Sequence, residues 1–256
     1  MISGLVRAVW RLELAVGRNP DRMRSVYVRA ARATGRPLTR AVAPHPAPSR
    51  HARRIGHWVR SLPGIYDMPA LVELDVPWWT YGAIDAVESW LASRSGARVF
   101  EFGSGASTVW LAGRAGEVRS VEHDAGFAAQ VGSFLTNVAN VTLDVVPAEP
   151  SQAPRAASGK VGFEDLDFSD YVAAIDQFSE RFDLIVIDGR ARVACLAAAA
   201  RNLADDGLIV FDNSRRGRYR AAIESCGLPE KRFRGLAPTL PYPEQTSLLA
   251  AGRPEV

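Results

Sequence analysis

The chain of 256 residues has two cysteines, Cys195 and Cys226, and neither sits in a Cys-x-x-Cys pair or a Cys/His cluster. A disulfide framework is thereby excluded, and no zinc-site spacing is present. No apolar run reaches the ~18–20 residues that a membrane-spanning helix needs. Residues 1–17, MISGLVRAVWRLELAVG, lack the layout of a secretory signal, because Arg7 and Arg11 interrupt the would-be apolar stretch. The expected location is cytoplasmic. With 47% hydrophobic residues the chain can bury a core, which argues against disorder of the whole.

Acidic residues are scarce at one end. Residues 1–60 hold 13 arginines against Glu13 and Asp21, a balance of +11 that leaves −8 for the remaining 196 residues of a chain with net charge +3. This asymmetry, and the pattern that accompanies it, divides the chain at residue 76. Residues 1–76 read as a basic helical arm and a Pro-rich linker. Ile2, Leu5, Val9, Leu12 and Val16 recur at helical spacing, with Arg7, Arg11 and Arg18 on another face. A second helical stretch covers residues 21–34. Four prolines in residues 37–51 then rule out a helix there. Such an arm fits packing on the acidic body or on a second subunit of an oligomer. It also fits peripheral contact with the inner face of a membrane, with Trp10 near the interface. A nucleic-acid partner is disfavoured, because aromatic platforms are few.

From residue 77 the pattern changes. ARVFEF (97–102), VRSVE (118–122), VTLDVV (141–146), FDLIVID (182–188) and GLIVFD (207–212) read as strands. Helical segments separate them, and KRFRGL (231–236) and TSLLAA (246–251) add two more strands. Residues 151–167 read as an inserted surface loop. Continuous apolar strands alternating with helices predict an α/β fold, a doubly wound and mostly parallel seven-stranded sheet, spanning residues 77–256.

In such a sheet the ligand crevice lies beyond the carboxyl ends of the strands. The first strand ends at Glu101-Phe102, and Gly103 and Gly105 make the turn. A dinucleotide site wants a third small residue, but Thr108 stands there. Glu101 would crowd a phosphate and suits a cationic ligand. Glu122 closes the second strand 21 residues later, where a carboxylate can accept two ribose hydroxyls. A ribose and a positive group without a pyrophosphate describe S-adenosylmethionine (SAM).

These motifs resemble the class I SAM-dependent methyltransferases, over roughly residues 77–251. EFGSGAS is similar to their first motif, with Ser107 for its third glycine, SVEHD (120–124) to the second, and FDLIVIDG (182–189) to the strand-four motif. The resemblance is closest to bacterial members with IDGRxR and DNSxR motifs, here Ile187–Arg192 and Asp212–Arg216, followed by Tyr219 and PYPEQTSLL (241–249). It implies a cofactor site of Glu101, Phe102, Gly103, Ser104, Gly105, Ser107, Glu122, His123 and Asp188. Asp124 would flank the adenine, Pro147–Glu149 would close over the base, and Ser107 could cap the following helix.

Methyl transfer leaves the protein two tasks, positioning an acceptor and removing its proton. Asp188, Asp212 and His123 are the candidate catalytic groups. Asp188, Asp212 and Asn213 are similar to the ligands of metal-dependent O-methyltransferases and suit Mg²⁺ or Mn²⁺. Arg190, Arg215 and Tyr219 are candidates for holding the acceptor, with Arg192 and Arg216 on the same edge. Cys195, in an Ala-rich helix, reads as packing. The expected function is SAM-dependent O-methylation of a small-molecule, glycan or lipid-linked hydroxyl or carboxylate. The rivals are a non-catalytic SAM-fold module that assembles with partners through its arm, and a NAD-dependent oxidoreductase.

Overall fold

The computed structural model describes residues 51–64 and 67–250, with side chains from residue 54 onward. The helical stretches read over 2–16 and 21–34, and the prolines of the linker, lie outside the described residues.

The main sheet uses seven strands: β1 (Arg98–Phe102), β2 (Glu117–Glu122), β3 (Val141–Val145), β6 (Phe182–Ile187), β7 (Leu203–Phe211), β8 (Glu230–Gly235) and β9 (Glu244–Ala250). A small hairpin, β4 (Glu149–Pro150) with β5 (Leu166–Asp167), lies apart from it. The order across the main sheet is β3-β2-β1-β6-β7-β9-β8. The first five of these strands run parallel, whereas β9 is antiparallel to both β7 and β8. Chain order reverses between β1 and β6, so their carboxyl ends flank the crevice.

Side chains alternate between two cores, as strand geometry requires. Val99, Leu184, Val186, Leu208 and Val210 meet Trp79, which lies just before α3 (Tyr81–Ala92), Ile84 and Val87 of that helix, and Trp110 of α4 (Ala106–Ala112) on one face. Phe100, Phe102, Ile185, Ile187, Ile209 and Phe211 meet Phe168, Tyr171 of α6 (Ser169–Ala173), and Leu196 and Ala199 of α7 (Arg192–Asn202) on the other. Burial on both faces explains why these strands are apolar throughout. The other helices of the main body are α5 (Ala125–Gly132) and α8 (Arg220–Ser225).

Two differences from the sequence reading stand out. First, the packed body begins well before residue 77. The helices α1 (His51–Ser61) and α2 (Met68–Glu73) join the first core through Trp58, Leu71 and Leu74. The Trp58 indole donates to the Leu240 carbonyl at 2.7 Å, and Ser61 Oγ accepts from the Thr239 amide at 2.8 Å. Arginine and proline density masked this packing, because α1 buries a narrow stripe under a basic face. Second, the stretch read as a surface loop is closed at its base by the β4–β5 hairpin. Asp167 secures it by accepting from the Ala156 amide at 3.1 Å and from the Ser169 amide and hydroxyl at 2.9 and 2.6 Å. Among the described residues no helix is long and apolar enough to cross a membrane.

If α1 belongs to the core, Trp58→Ala lowers the free energy of urea unfolding by about 3–5 kcal/mol, the usual cost of removing a buried aromatic. A loss below ~1 kcal/mol would return α1 to the arm.

Candidate functional site

The two glycines of the turn after β1 do different work. Gly103 has φ +95, and a Cβ there would lie 2.4 Å from Gly189 Cα and 2.6 Å from Gly189 N. Gly189 is equally constrained, since its own Cβ would lie 2.1 Å from the Tyr171 hydroxyl. The loops after β1 and β6 therefore touch backbone to backbone. Phe102 holds them there, its carbonyl accepting from the amides of Asp188 (3.0 Å) and Gly189 (2.7 Å). The Phe102 side chain is fully buried in the second core beside Tyr171, so it faces no ligand. Gly105 is different: the nearest atom to a Cβ would be Ser107 Oγ at 3.8 Å. The fold does not need its missing side chain, and the space stays open for a ligand.

Glu101 is not a ligand for a cation but a buried anchor. It is wholly inaccessible. It accepts from Ser107 Oγ (2.5 Å), Thr108 Oγ1 (2.5 Å) and Ser120 Oγ (2.7 Å). Thr108 Oγ1 also accepts from the Gly105 amide at 2.9 Å, which fixes the turn. Ser107 thus ties α4 to Glu101 instead of capping the helix. Burial pushes the Glu101 carboxyl up to about 7, against the lowering effect of the three hydroxyl donors.

Glu122 is nearly inaccessible, and its carboxylate gathers the crevice wall. One oxygen accepts from the amide and hydroxyl of Ser104 (3.1 and 3.2 Å). The other accepts from the amides of His123 (2.8 Å) and Asp124 (3.0 Å) and lies 2.5 Å from His123 Nδ1. Burial opposes the charge, but the His123 side chain and these amides outweigh it and hold Glu122 below its ordinary value. The His123 ring also packs against Phe163, Phe168 and Tyr171, so it organises the wall and is poorly placed as a base. Asp124 caps α5, accepting from the Phe127 amide at 2.9 Å. Pro147–Glu149 follow β3, which pairs with the end of β2 at Glu122.

Asp188 and Asp212 end adjacent strands, as expected, and Arg192 sits between them. Its guanidinium donates to Asp188 Oδ1 (2.7 Å), to the carbonyls of Asp188 (2.5 Å) and Gly189 (3.1 Å), and to the carbonyl of Asp212. Asp212 Oδ1 accepts from Thr246 Oγ1 at 2.7 Å. Burial raises the Asp188 carboxyl, with Arg192 opposing. Burial and the neighbouring Asp188 raise Asp212 to about 8. Asn213 has φ +53, a left-handed turn position that asparagine tolerates, and its carbonyl accepts from the Arg216 amide at 3.2 Å. A divalent ion does not fit this set. Arg192 is already ion-paired with Asp188 and donates to the Asp212 carbonyl, so a cation occupies the space between the two strand ends, and among the described residues no three His, Cys, Asp or Glu side chains gather as metal ligands.

Arg190 and Tyr219 stand at the rim. Arg190 lies over the Phe163 ring at 4.8 Å, and its Nε is buried with no partner among the described residues. Burial and Arg192 both lower its pKa. Tyr219 packs edge-on against Phe211, with the Arg218 guanidinium 4.9 Å from its ring. Burial raises its hydroxyl pKa, but Arg192 and Arg218 outweigh that and bring it below the ordinary value. Arg215 is exposed. Cys195 is fully buried, its thiol pushed well up by burial and donating to the Arg190 carbonyl at 3.4 Å, in keeping with packing.

No protein-family model matches the sequence, and no curated protein does. Solved structures do match. A Klebsiella pneumoniae protein provisionally described as an O-methyltransferase is 19% identical, with 85% of this chain and 96% of that one covered and a TM-score of 0.50. The fold is the Rossmann-like methyltransferase fold. Weaker matches include an rRNA methylase from Streptococcus thermophilus (12% identity, 65% and 95% covered, TM-score 0.46). Another is a Streptococcus mutans protein provisionally described as a methyltransferase and solved with S-adenosylhomocysteine (11%, 65% and 97%, 0.44). At these identities the likeness speaks to the fold.

Sequence reasoning missed Arg192 as the bridge, although its i, i+4 spacing from Asp188 was a usable signal. It also missed Tyr171 and Phe163, which only the packing brings to the crevice.

The glycine assignment separates two variants in thermal melts. Gly103→Ala should lower stability sharply, whereas Gly105→Ala should leave it within ~1 kcal/mol of wild type. Equal losses would refute the distinction.

Glu101 has a pH signature. Its folded-state value lies above its unfolded one, so its contribution to stability is complete below about 4.5 and is lost as pH rises toward 7. Glu101→Gln, whose amide the same hydroxyls can satisfy, should remove a difference of up to roughly 3 kcal/mol across that window. Parallel pH profiles for variant and wild type would show that Glu101 carries no such shift.

Proposed function

We propose that the protein is a SAM-dependent methyltransferase that methylates an oxygen of a small-molecule, glycan or lipid-linked acceptor. One observation carries this reading. The open Gly105 turn faces Glu122, fixed at the neighbouring strand end, in a sheet whose last strand is inserted antiparallel. A dinucleotide-binding sheet has the order 3-2-1-4-5-6. Here β9 slips between β7 and β8, and Thr108 points inward to Glu101, leaving no small third position for a pyrophosphate.

The chain fits the cofactor. Ser104, Gly105, Glu122 and the amides of His123 and Asp124 form the turn that would hold it. The Ser104 hydroxyl or the His123 ring gives way when a diol binds Glu122, while the backbone amides stay. Tyr171 Oη, buried and without a partner among the described residues, adds a donor at the same wall. When bound, SAM supplies a methyl group already activated on a sulfonium.

The chain's own part is positional and acid–base. Asp188 keeps 22% of its side chain exposed, whereas Asp212 as a residue is 3% exposed. Asp188 is therefore the carboxylate that can take a proton from an acceptor hydroxyl, and burial raises its pKa, which makes it a stronger base than an exposed carboxylate. Arg192 orients it, the Asp212 carbonyl accepts from the opposite side of Arg192, and Thr246 holds the Asp212 carboxyl, both as positioning residues.

S-adenosylhomocysteine tests the reading by thermal shift. At 100 times its Kd it should stabilise the protein by about 2.7 kcal/mol, and NADH should not. Glu122→Gln should weaken the effect. Stabilisation by NADH alone would overturn the reading.

A further inference from the structure

The arginines of this chain are not partnered evenly. Among the described residues, 11 of the 17 arginines with described side chains form ion pairs with carboxylates. Four of the six others are Arg190, Arg215, Arg216 and Arg218, all on the loops that follow β6 and β7. The crevice edge therefore concentrates arginines that form no ion pair, with Glu122 and Asp188 near Arg190 and Asp188 near Arg216 as the neighbouring carboxylates. Residues 1–50 offer little countercharge, with two acids against ten arginines.

Two of these four are held in place. Arg190 stacks on Phe163 at 4.8 Å, with its Nε buried and without a partner among the described residues. Arg218 stacks on Tyr219 at 4.9 Å. Its Cδ lies 3.1 Å from where a Cβ on Gly159 would stand, so the inserted segment packs against it. Lys160, next to Gly159, reaches the other end of that segment, with Nζ 5.2 Å from the Phe163 ring centroid. Residues 159–163 thus contact both arginines, Arg218 at Gly159 and Arg190 at Phe163. A guanidinium stacked on a ring loses little freedom when its edge donors bind an oxyanion. Burying a cation without a counter-ion is costly, and an arriving anion relieves that cost.

We propose that the acceptor is a small anion, and that Arg190 and Arg218, assisted by Arg216, hold its phosphate or carboxylate beside Asp188. This deepens the methyltransferase reading and rests on it for the word acceptor, while the anion site itself stands on the arginines. A small molecule is favoured over nucleic acid because the stacked pair brackets one short segment at the crevice and does not extend along a strand track.

The test uses the full chain, titration calorimetry at constant ionic strength, and inorganic phosphate and citrate as probes. Wild type should bind at least one of them, and Arg190→Gln and Arg218→Gln should each weaken binding about tenfold. Arg234→Gln, an exposed arginine on β8, should leave it unchanged. Arg218 is exposed, so its variant decides the matter if Arg190→Gln folds poorly. Binding of phosphate but not citrate assigns a phosphorylated acceptor, and the reverse assigns a carboxylate. Binding of neither, or an equal loss in Arg234→Gln, overturns the proposal. So does tRNA that displaces phosphate through Arg190 and Arg218. S-adenosylhomocysteine binding is read on the same samples. If it persists without arginine-dependent anion binding, only the acceptor proposal falls. If it is absent while anion binding depends on the arginines, the methyl-transfer reading falls and the anion site stands.

Discussion

A single buried guanidinium governs the crevice. Arg192 donates to the carbonyls of residues 188, 189 and 212 and to the Asp188 carboxylate, so it joins the ends of β6 and β7, pairs with Asp188 and lies beside Asp212. Unpaired carboxylates this close would repel each other, and their desolvation would oppose folding. With Arg192 in place, they become a rigid wall. The Gly103–Gly189 contact sets the other side of that wall, and the open Gly105 turn is what remains between them.

Much of the architecture was legible because parallel strands covered on both faces must be apolar throughout. VFEF, LIVI and GLIVF announced themselves in that way, and each strand read between residues 97 and 251 is present. The antiparallel pairing of β9 between β7 and β8 left no comparable mark, since order in a sheet depends on which edges remain open. The start of the body was also obscured. A helix such as α1, with one buried tryptophan beneath several arginines, looks in sequence like part of a basic arm.

The site was legible in its positions and less so in its roles. Glu101, Gly103 and Glu122 do meet around the turn after β1, although Glu101 faces the interior. Whether Glu101 faced a ligand or the interior depended on Ser120, which register places beside it on β2, and on two hydroxyls one helical turn away. Such convergence is tertiary and has no spacing to betray it. Asp188 and Asp212 suggested a metal because carboxylates at adjacent strand ends usually need a cation. The cation is present, but the chain supplies it as Arg192.

The inserted strand has a consequence for how the protein is made. Thr246 on β9 holds Asp212, and the Ser214 amide donates to the Gln245 carbonyl at 2.9 Å. Two long-range pairings thus complete the crevice edge at the end of β7, each joining residues more than thirty positions apart. The Leu240 carbonyl, just before β9, also receives Trp58. A growing chain that has reached β7 already contains every residue of the glycine turn, yet its crevice has only one wall. The side that carries Asp212 closes when β9 adds its edge, so that half of the crevice is the last part of the fold to become defined.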